Sequence, residues 1–134
     1  MFRKMGLRMG SIFFAGIFLC VIIAGVVEAA EVKERNDVEV ASSETEIIEG
    51  TYTHKWHNRI FRINNGEHQI IATVWGSNDE QTWEYFDSST IDPGKSDTMV
   101  MGLNHFWYVK LTGRTTDVHA TPSIVDASLT YHIP

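Results

Sequence analysis

Three sets of side chains in this sequence are of kinds that do chemistry. The first is the histidines, six in all. His54 and His57 lie three apart on a stretch that reads as strand, so they face opposite sides and cannot easily share one metal ion. His68, His105 and His119 flank turns, and His132 projects from the polar face of the last strand. No serine sits in a Gly-x-Ser-x-Gly elbow, and no His-Glu-x-x-His pair occurs; Ser88 and Ser89 are loop serines beside Asp87. Without a nucleophile set next to a base, no catalytic residue is assigned and the chain reads as non-enzymatic.

The second set is rich in oxygen. Asn78, Asp79 and Glu80 crowd one turn, Asp87 follows, and Asp92 and Asp97 flank another. Calcium, which takes about six to eight oxygen ligands, is the ion such a turn suits, with Asn78, Asp79 and Glu80 as its candidate ligands. The spacing is neither that of an EF-hand nor that of an Asp-rich repeat, and a solvated acidic turn is the plainer reading. No other cofactor is implied.

The third set is aromatic: Tyr52, Trp56, Trp75, Trp83, Tyr85, Trp107, Tyr108 and Tyr131. If the strands alternate, these cannot all face one core. Trp83, Trp107 and Tyr131 are assigned inward. Trp56, Trp75, Tyr85 and Tyr108 then form a candidate outward face, suited to stacking on the sugar rings of a polysaccharide or to packing against a partner subunit. Burial of most of these rings between two stacked sheets is the competing structural reading.

The elements that must carry these residues have a period of two. Val125, Ala127, Leu129, Tyr131 and Ile133 alternate with Asp126, Ser128, Thr130 and His132, as in a half-buried strand. Within 105–111, Trp107, Val109 and Leu111 share one face. The run 68–75 is apolar on both faces and reads as a central strand. Asn65-Gly66 tolerates the positive φ angles of a type I′ turn, so 57–75 reads as a hairpin. Asp92-Pro93-Gly94-Lys95 fits a type II turn. About seven strands with short connections over 47–134 predict an all-β fold, an antiparallel β-sandwich of jelly-roll-like type.

The segment Gly76-Ser77-Asn78-Asp79-Glu80-Gln81-Thr82-Trp83, followed by Tyr85 and Phe86, resembles a Gly-Ser-x-Asp-Gly-x-x-Trp hairpin of discoidin-like modules and of short bacterial secreted β-sandwiches. Phe106 to Gly113 is similar to a later strand of the same modules. Glu80 stands where the usual turn glycine would be. The resemblance implies a sandwich fold and no particular activity, because this architecture hosts many functions.

The first thirty residues differ from the rest. Arg3, Lys4 and Arg8 precede an apolar run over 12–27, and small residues follow at Ala29 and Ala30. That order reads as a signal peptide or membrane anchor over 1–30, its apolar part a leader helix. It is cleaved at Ala29 or Ala30, retained, or processed after Gly10 in the manner of a pilin leader. The domain is therefore expected to be secreted, extracellular or in the cell envelope, touching membrane only through 12–27 if the leader stays. Residues 31–46 are polar and acidic, and read as a flexible linker or arm that could add to a neighbour's sheet edge.

The only cysteine, Cys20, lies in the leader, so a processed chain has no disulfide. It retains eight basic against sixteen acidic residues, a net charge of −8. Such a surface repels phosphate backbones and excludes nucleic acid as a natural partner. The expected function is that of a cell-surface or appendage subunit, structural or adhesive, with self-assembly or a surface partner; the alternative is a carbohydrate-binding module.

Overall fold

The computed structural model describes residues 17–23, 26–53, 58–102 and 105–132, with 17–29 and 132 as backbone only. Nine strands lie among them: β1 (Ile17–Ile23), β2 (Val26–Val40), β3 (Thr45–Tyr52), β4 (Arg59–Asn64), β5 (Ile70–Ser77), β6 (Glu84–Ile91), β7 (Ser96–Met101), β8 (Tyr108–Thr115) and β9 (Ser123–His132). They form two antiparallel sheets, β1-β2-β9-β4-β7 and β3-β8-β5-β6. The chain is an all-β sandwich, with more strands than the seven counted from turns.

The alternation that marked β9 is what builds the core. Val125, Ala127, Leu129 and Tyr131 turn inward and are buried, opposite Phe61 and Ile63 of β4 on the same sheet. The facing sheet supplies Ile48, Ile70, Ala72, Val74, Val109 and Leu111, each 3 % exposed or less. Burying apolar area contributes on the order of 25 cal/mol per Å², and β-branched residues fit such a pleated, half-buried surface. β5, apolar on both faces, lies inside its sheet between β8 and β6, as its composition predicts.

Four sequence readings are corrected. Residues 17–23 and 26–30, expected within a leader helix, are strand, with Ile17 to Ile23 pairing against Val32 to Val26. Their Ile and Val content suits a strand, and β2 offers an edge that satisfies their backbone groups. Residues 31–46, expected as a flexible linker or arm, are β2 up to Val40 and the start of β3 from Thr45. Ala30 to Val40 pairs with β9 of the same chain, with a bulge between Arg35 and Val38 where Asp37 takes a φ of 55°. Composition could not show that β9 needs a partner on that side.

The predicted hairpin over 57–75 does not form, because β4 and β5 belong to different sheets. The Asn65-Gly66 corner carries the chain from one layer to the other. Gly66 is needed there for space: a Cβ would come within 2.5 Å of the Ile124 carbonyl oxygen. The turn at 92–95 is as predicted, with Lys95 N–H donating to Asp92 O at 3.1 Å and Gly94 at φ 72°. It too joins the two sheets, and Gly94 N–H donates to Gly66 O at 2.8 Å, tying the corners together.

The fourth correction concerns Trp83 and Trp107, both assigned inward and both found outside the core. β8 begins only at Tyr108, and before it Trp107 N–H donates to Ser77 O while Phe106 turns inward against Gly76. The loop breaks the alternation that a continuous strand would have kept.

Candidate functional site

Side chains of β5 and β8 that do not enter the core project from the outer face of the four-stranded sheet. Val109 and Leu111 point in, so Tyr108, Lys110, Thr112 and Arg114 point out; on β5, Ile71, Thr73, Trp75 and Ser77 are opposite them. Tyr52 pairs with Tyr108 from β3, and Tyr85 pairs with Trp75 from β6. Each of the four strands therefore contributes one ring to this face.

The rings fall into two groups. Tyr52 stacks on Trp107 at 5.7 Å between centroids and meets Tyr108 edge-on at 5.4 Å. Trp75 and Tyr85 meet edge-to-face at 6.2 Å. Offset and T-shaped pairs are the arrangements that the ring quadrupole favours. Between the groups, Lys110 Nζ sits 4.4 Å from the centroid of Trp83, a cation–π contact. Tyr85 is 60 % exposed and Tyr52 48 %, and the tryptophans are half-buried.

Trp83 reaches this face through the turn that precedes it. Ser77 Oγ accepts the N–H groups of Asp79 (3.2 Å) and Glu80 (3.0 Å) and donates to Asp79 Oδ1. Asp79 Oδ1 in turn accepts from Gln81 N–H at 2.9 Å and Thr82 N–H at 2.8 Å. These bonds from the following backbone amides hold the Asp79 carboxyl below its ordinary 3.8. Glu80 takes φ 63°, the left-handed geometry at the position where the resembled hairpin has glycine. The turn then lays the Trp83 ring over Gly50 of β3, whose absent side chain makes the seat: a Cβ there would lie 3.0 Å from the ring.

Polar groups are set among the rings. Trp75 Nε1–H donates to Thr112 Oγ1 at 2.8 Å, and that hydroxyl donates to Glu44 Oε2 at 2.6 Å. Tyr85 and Ser88 share a hydroxyl–hydroxyl bond of 3.0 Å.

Of the residues singled out from sequence, Trp75, Tyr85 and Tyr108 share this one face. Trp56, with His54 and His57, lies outside the described residues. Tyr52, Trp83 and Trp107 belong to the face and were not assigned to it. Gly50, two residues before Tyr52, is the only sequence signal for the ring that covers it. Asn78, Asp79 and Glu80, the candidate calcium ligands, form the turn itself, with one Asp79 oxygen already engaged by two amides and a hydroxyl. Among the described residues no group of three or more His, Cys, Asp or Glu is placed to hold a metal ion. His68 and His119 stack at 3.8 Å, with His68 Nε2 3.2 Å from Thr121 Oγ1.

Charges close the open side of the sandwich between β2 and β3. Arg35 of β2 binds Glu49 of β3 through two nitrogens, and Lys33 Nζ lies 3.5 Å from the same carboxylate while donating to Thr51 Oγ1 at 2.9 Å. Burial pushes the Glu49 carboxyl up, but the Arg35 hydrogen bond, a backbone bond and the two cations outweigh it and hold it below 4.5. Inward-pointing charge on an edge strand also opposes unwanted edge pairing. Arg59, fully buried at the far end of β4, is lowered by burial to about 10 and remains a cation at neutral pH.

No protein-family model matches this sequence, and no curated protein sequence matches it. Solved structures do resemble its fold. A subunit from work describing Bacillus endospore appendages as disulfide-linked pili matches at 9 % identity and a TM-score of 0.51, over 88 % of this chain and 91 % of the other. The SPBc2 prophage-derived protein YomS matches at 9 % identity and a TM-score of 0.53, over 79 % and 97 %. PirA matches at 12 % identity and a TM-score of 0.50, over 78 % and 93 %. At these identities the likeness is one of fold, and it places the chain among small antiparallel β-sandwiches.

Proposed function

We propose that this chain is an exported, non-enzymatic β-sandwich that works as a structural or adhesive subunit of a cell surface or surface appendage. The observation that carries this reading is the outer face of the β3-β8-β5-β6 sheet. Six aromatic side chains are gathered there, outside a core that is complete without them. Exposed aromatic rings held by short loops and a rigid sheet suit attachment through contact.

Two further features support it. The basic, apolar, small-residue order of the first thirty residues is that of an export signal. The likeness in fold to a subunit of endospore pili is consistent with this reading. Those pili are described as disulfide-linked, whereas Cys20 is the only cysteine here and falls within the segment read from the sequence as an export signal. Assembly of a chain cleaved at Ala29 or Ala30 would thus be non-covalent and indifferent to reducing agents.

Size-exclusion chromatography and electron microscopy of the secreted protein, with mass spectrometry of its N-terminus, test this. Higher assemblies or surface-bound material that persist under reduction support it. A monodisperse monomer that stays in the medium and binds no cells overturns it.

A further inference from the structure

We infer that the outer aromatic face takes a neutral polysaccharide, laid across the strands so that successive sugar rings meet Tyr52 and Tyr108, then Trp75 and Tyr85. This rests on the adhesive reading of the same face and names its ligand class.

The extent of the face favours a chain over a single sugar. One ring from each of four strands spans three strand intervals, about 14 Å at the ~4.8 Å spacing of paired strands. The Tyr108 and Trp75 rings are offset by one alternation along the sheet, since Tyr108 pairs with Ser77 and Trp75 with Lys110. The row is therefore diagonal and extended.

The groups between the rings favour sugar over a second protein. Hydroxyl groups need both donors and acceptors beside the aromatic surface, and the exposed Glu44 carboxylate, the Tyr85–Ser88 pair and Lys110 supply them. Cores of protein interfaces are instead depleted in Lys and Glu. Among the outward residues of β5 and β8, the only aliphatic is Ile71.

Charge narrows the class further. Lys110 and Arg114 on β8 are met by Glu44 and Glu46 at the β3 side and by Glu80 beside Gly50, so the face carries no positive excess to hold an anionic polymer. The surrounding −8 of the processed chain repels an anionic one.

The test titrates the secreted protein with hydroxyethyl-cellulose, galactomannan and soluble starch, with polygalacturonate as the anionic comparator, following tryptophan fluorescence and affinity electrophoresis. A saturable response to at least one neutral polymer is expected. Tyr85→Ala should weaken it about tenfold without moving the thermal midpoint, because this ring is mostly exposed. Val100→Ala, on the outer face of the opposite sheet, should leave it unchanged.

No saturable response to any of the three neutral polymers overturns the inference. So does tighter binding of polygalacturonate, or full binding by Tyr85→Ala. Self-association that Tyr85→Ala abolishes, with no polymer bound, overturns it while leaving the appendage subunit standing. Polymer binding by a protein that stays monomeric and attaches to no surface does the reverse.

Discussion

Ser123 Oγ donates a 2.8 Å hydrogen bond to Asn65 Oδ1, joining two buried side chains 58 residues apart in the chain. Around this bond the two inter-sheet corners and the start of β9 are knotted together. Asn65 Nδ2 donates towards His68 O (2.7 Å), Ile91 O (3.0 Å) and Asp92 O (3.2 Å), and Asn65 Oδ1 also accepts Gly66 N–H. Ser123 Oγ accepts His68 N–H in return. With Cys20 the only cysteine in the sequence, no disulfide within the chain can serve here, and this polar knot holds one end of the sandwich shut.

Asn65→Ala would strip partners from several buried polar groups at once. Leaving such groups unmade costs about 1–3 kcal/mol each when they cannot reach water, so the variant should lose about 2–4 kcal/mol in total after relaxation. Ser123→Ala should lose about half as much, because it removes fewer bonds. Urea unfolding midpoints at constant slope check the order, and equal stability of Asn65→Ala and the parent would refute it.

Gly76 and Phe106 are coupled by space. A Cβ on residue 76 would come within 2.3 Å of the Phe106 ring, inside the core. Gly76→Ala should therefore cost about 2–3 kcal/mol by overpacking. Adding Phe106→Leu, which vacates the contact, should recover part of that loss, giving a non-zero coupling in a double-mutant cycle. Simple additivity of the two changes would show that the clash is relieved elsewhere.

Glu80 takes a left-handed φ of 63° without being glycine. Glu80→Gly should raise stability by about 0.5–1 kcal/mol, the strain relieved exceeding the entropy added to the unfolded chain. Glu80→Asn should gain less, and Glu80→Val should lose, since a β-branched side chain fits this region worst. Thermal melts of the three variants rank them. A falling midpoint for the glycine variant would mean that the Glu80 side chain does more than the backbone angle implies.

The β2–β3 seal should respond to acid. Glu49 is held below 4.5 in the folded chain, so its contribution is present above that value and is lost as pH falls through the lowered one. Stability measured by denaturant should decline as the medium is acidified below about pH 4.5, and Glu49→Gln should flatten this part of the profile. The carboxylate is nearly half exposed, so solvent screening keeps the effect modest. At the alkaline end, burial and then the neighbouring Glu31 raise the Tyr131 hydroxyl above its ordinary 10.0. That contribution is complete below pH 10 and fades as pH rises beyond it. Tyr131→Phe should remove the alkaline decline.

Much of this fold is legible in the order of residue types. The β9 alternation identifies Val125, Ala127, Leu129 and Tyr131 as inward, with Ile133 outside the described residues, the composition of β5 marks it as central, and Asp92-Pro93-Gly94 specifies a type II turn. Each depends on neighbours within a few residues, where side-chain direction and backbone angle are set locally. The aromatic face was half visible: Trp75, Tyr85 and Tyr108 follow from strand phase, whereas Trp83 and Trp107 lie just outside strands, where phase has no meaning.

What the sequence alone determined is thus an acidic, all-β sandwich with more aromatic rings than its core can hold. The tertiary structure decided the rest. It placed Asn65-Gly66 at a crossing between sheets, because Ile124 of a distant strand leaves no room for a side chain there. It made 31–40 a strand, because β9 has backbone groups to satisfy on that side. And it laid Trp83, from the turn before β6, on Gly50 of β3 under Lys110 of β8, joining residues that no spacing in the chain connects. Periodicity reports which way a side chain points; only the pairing of distant strands reports what it meets.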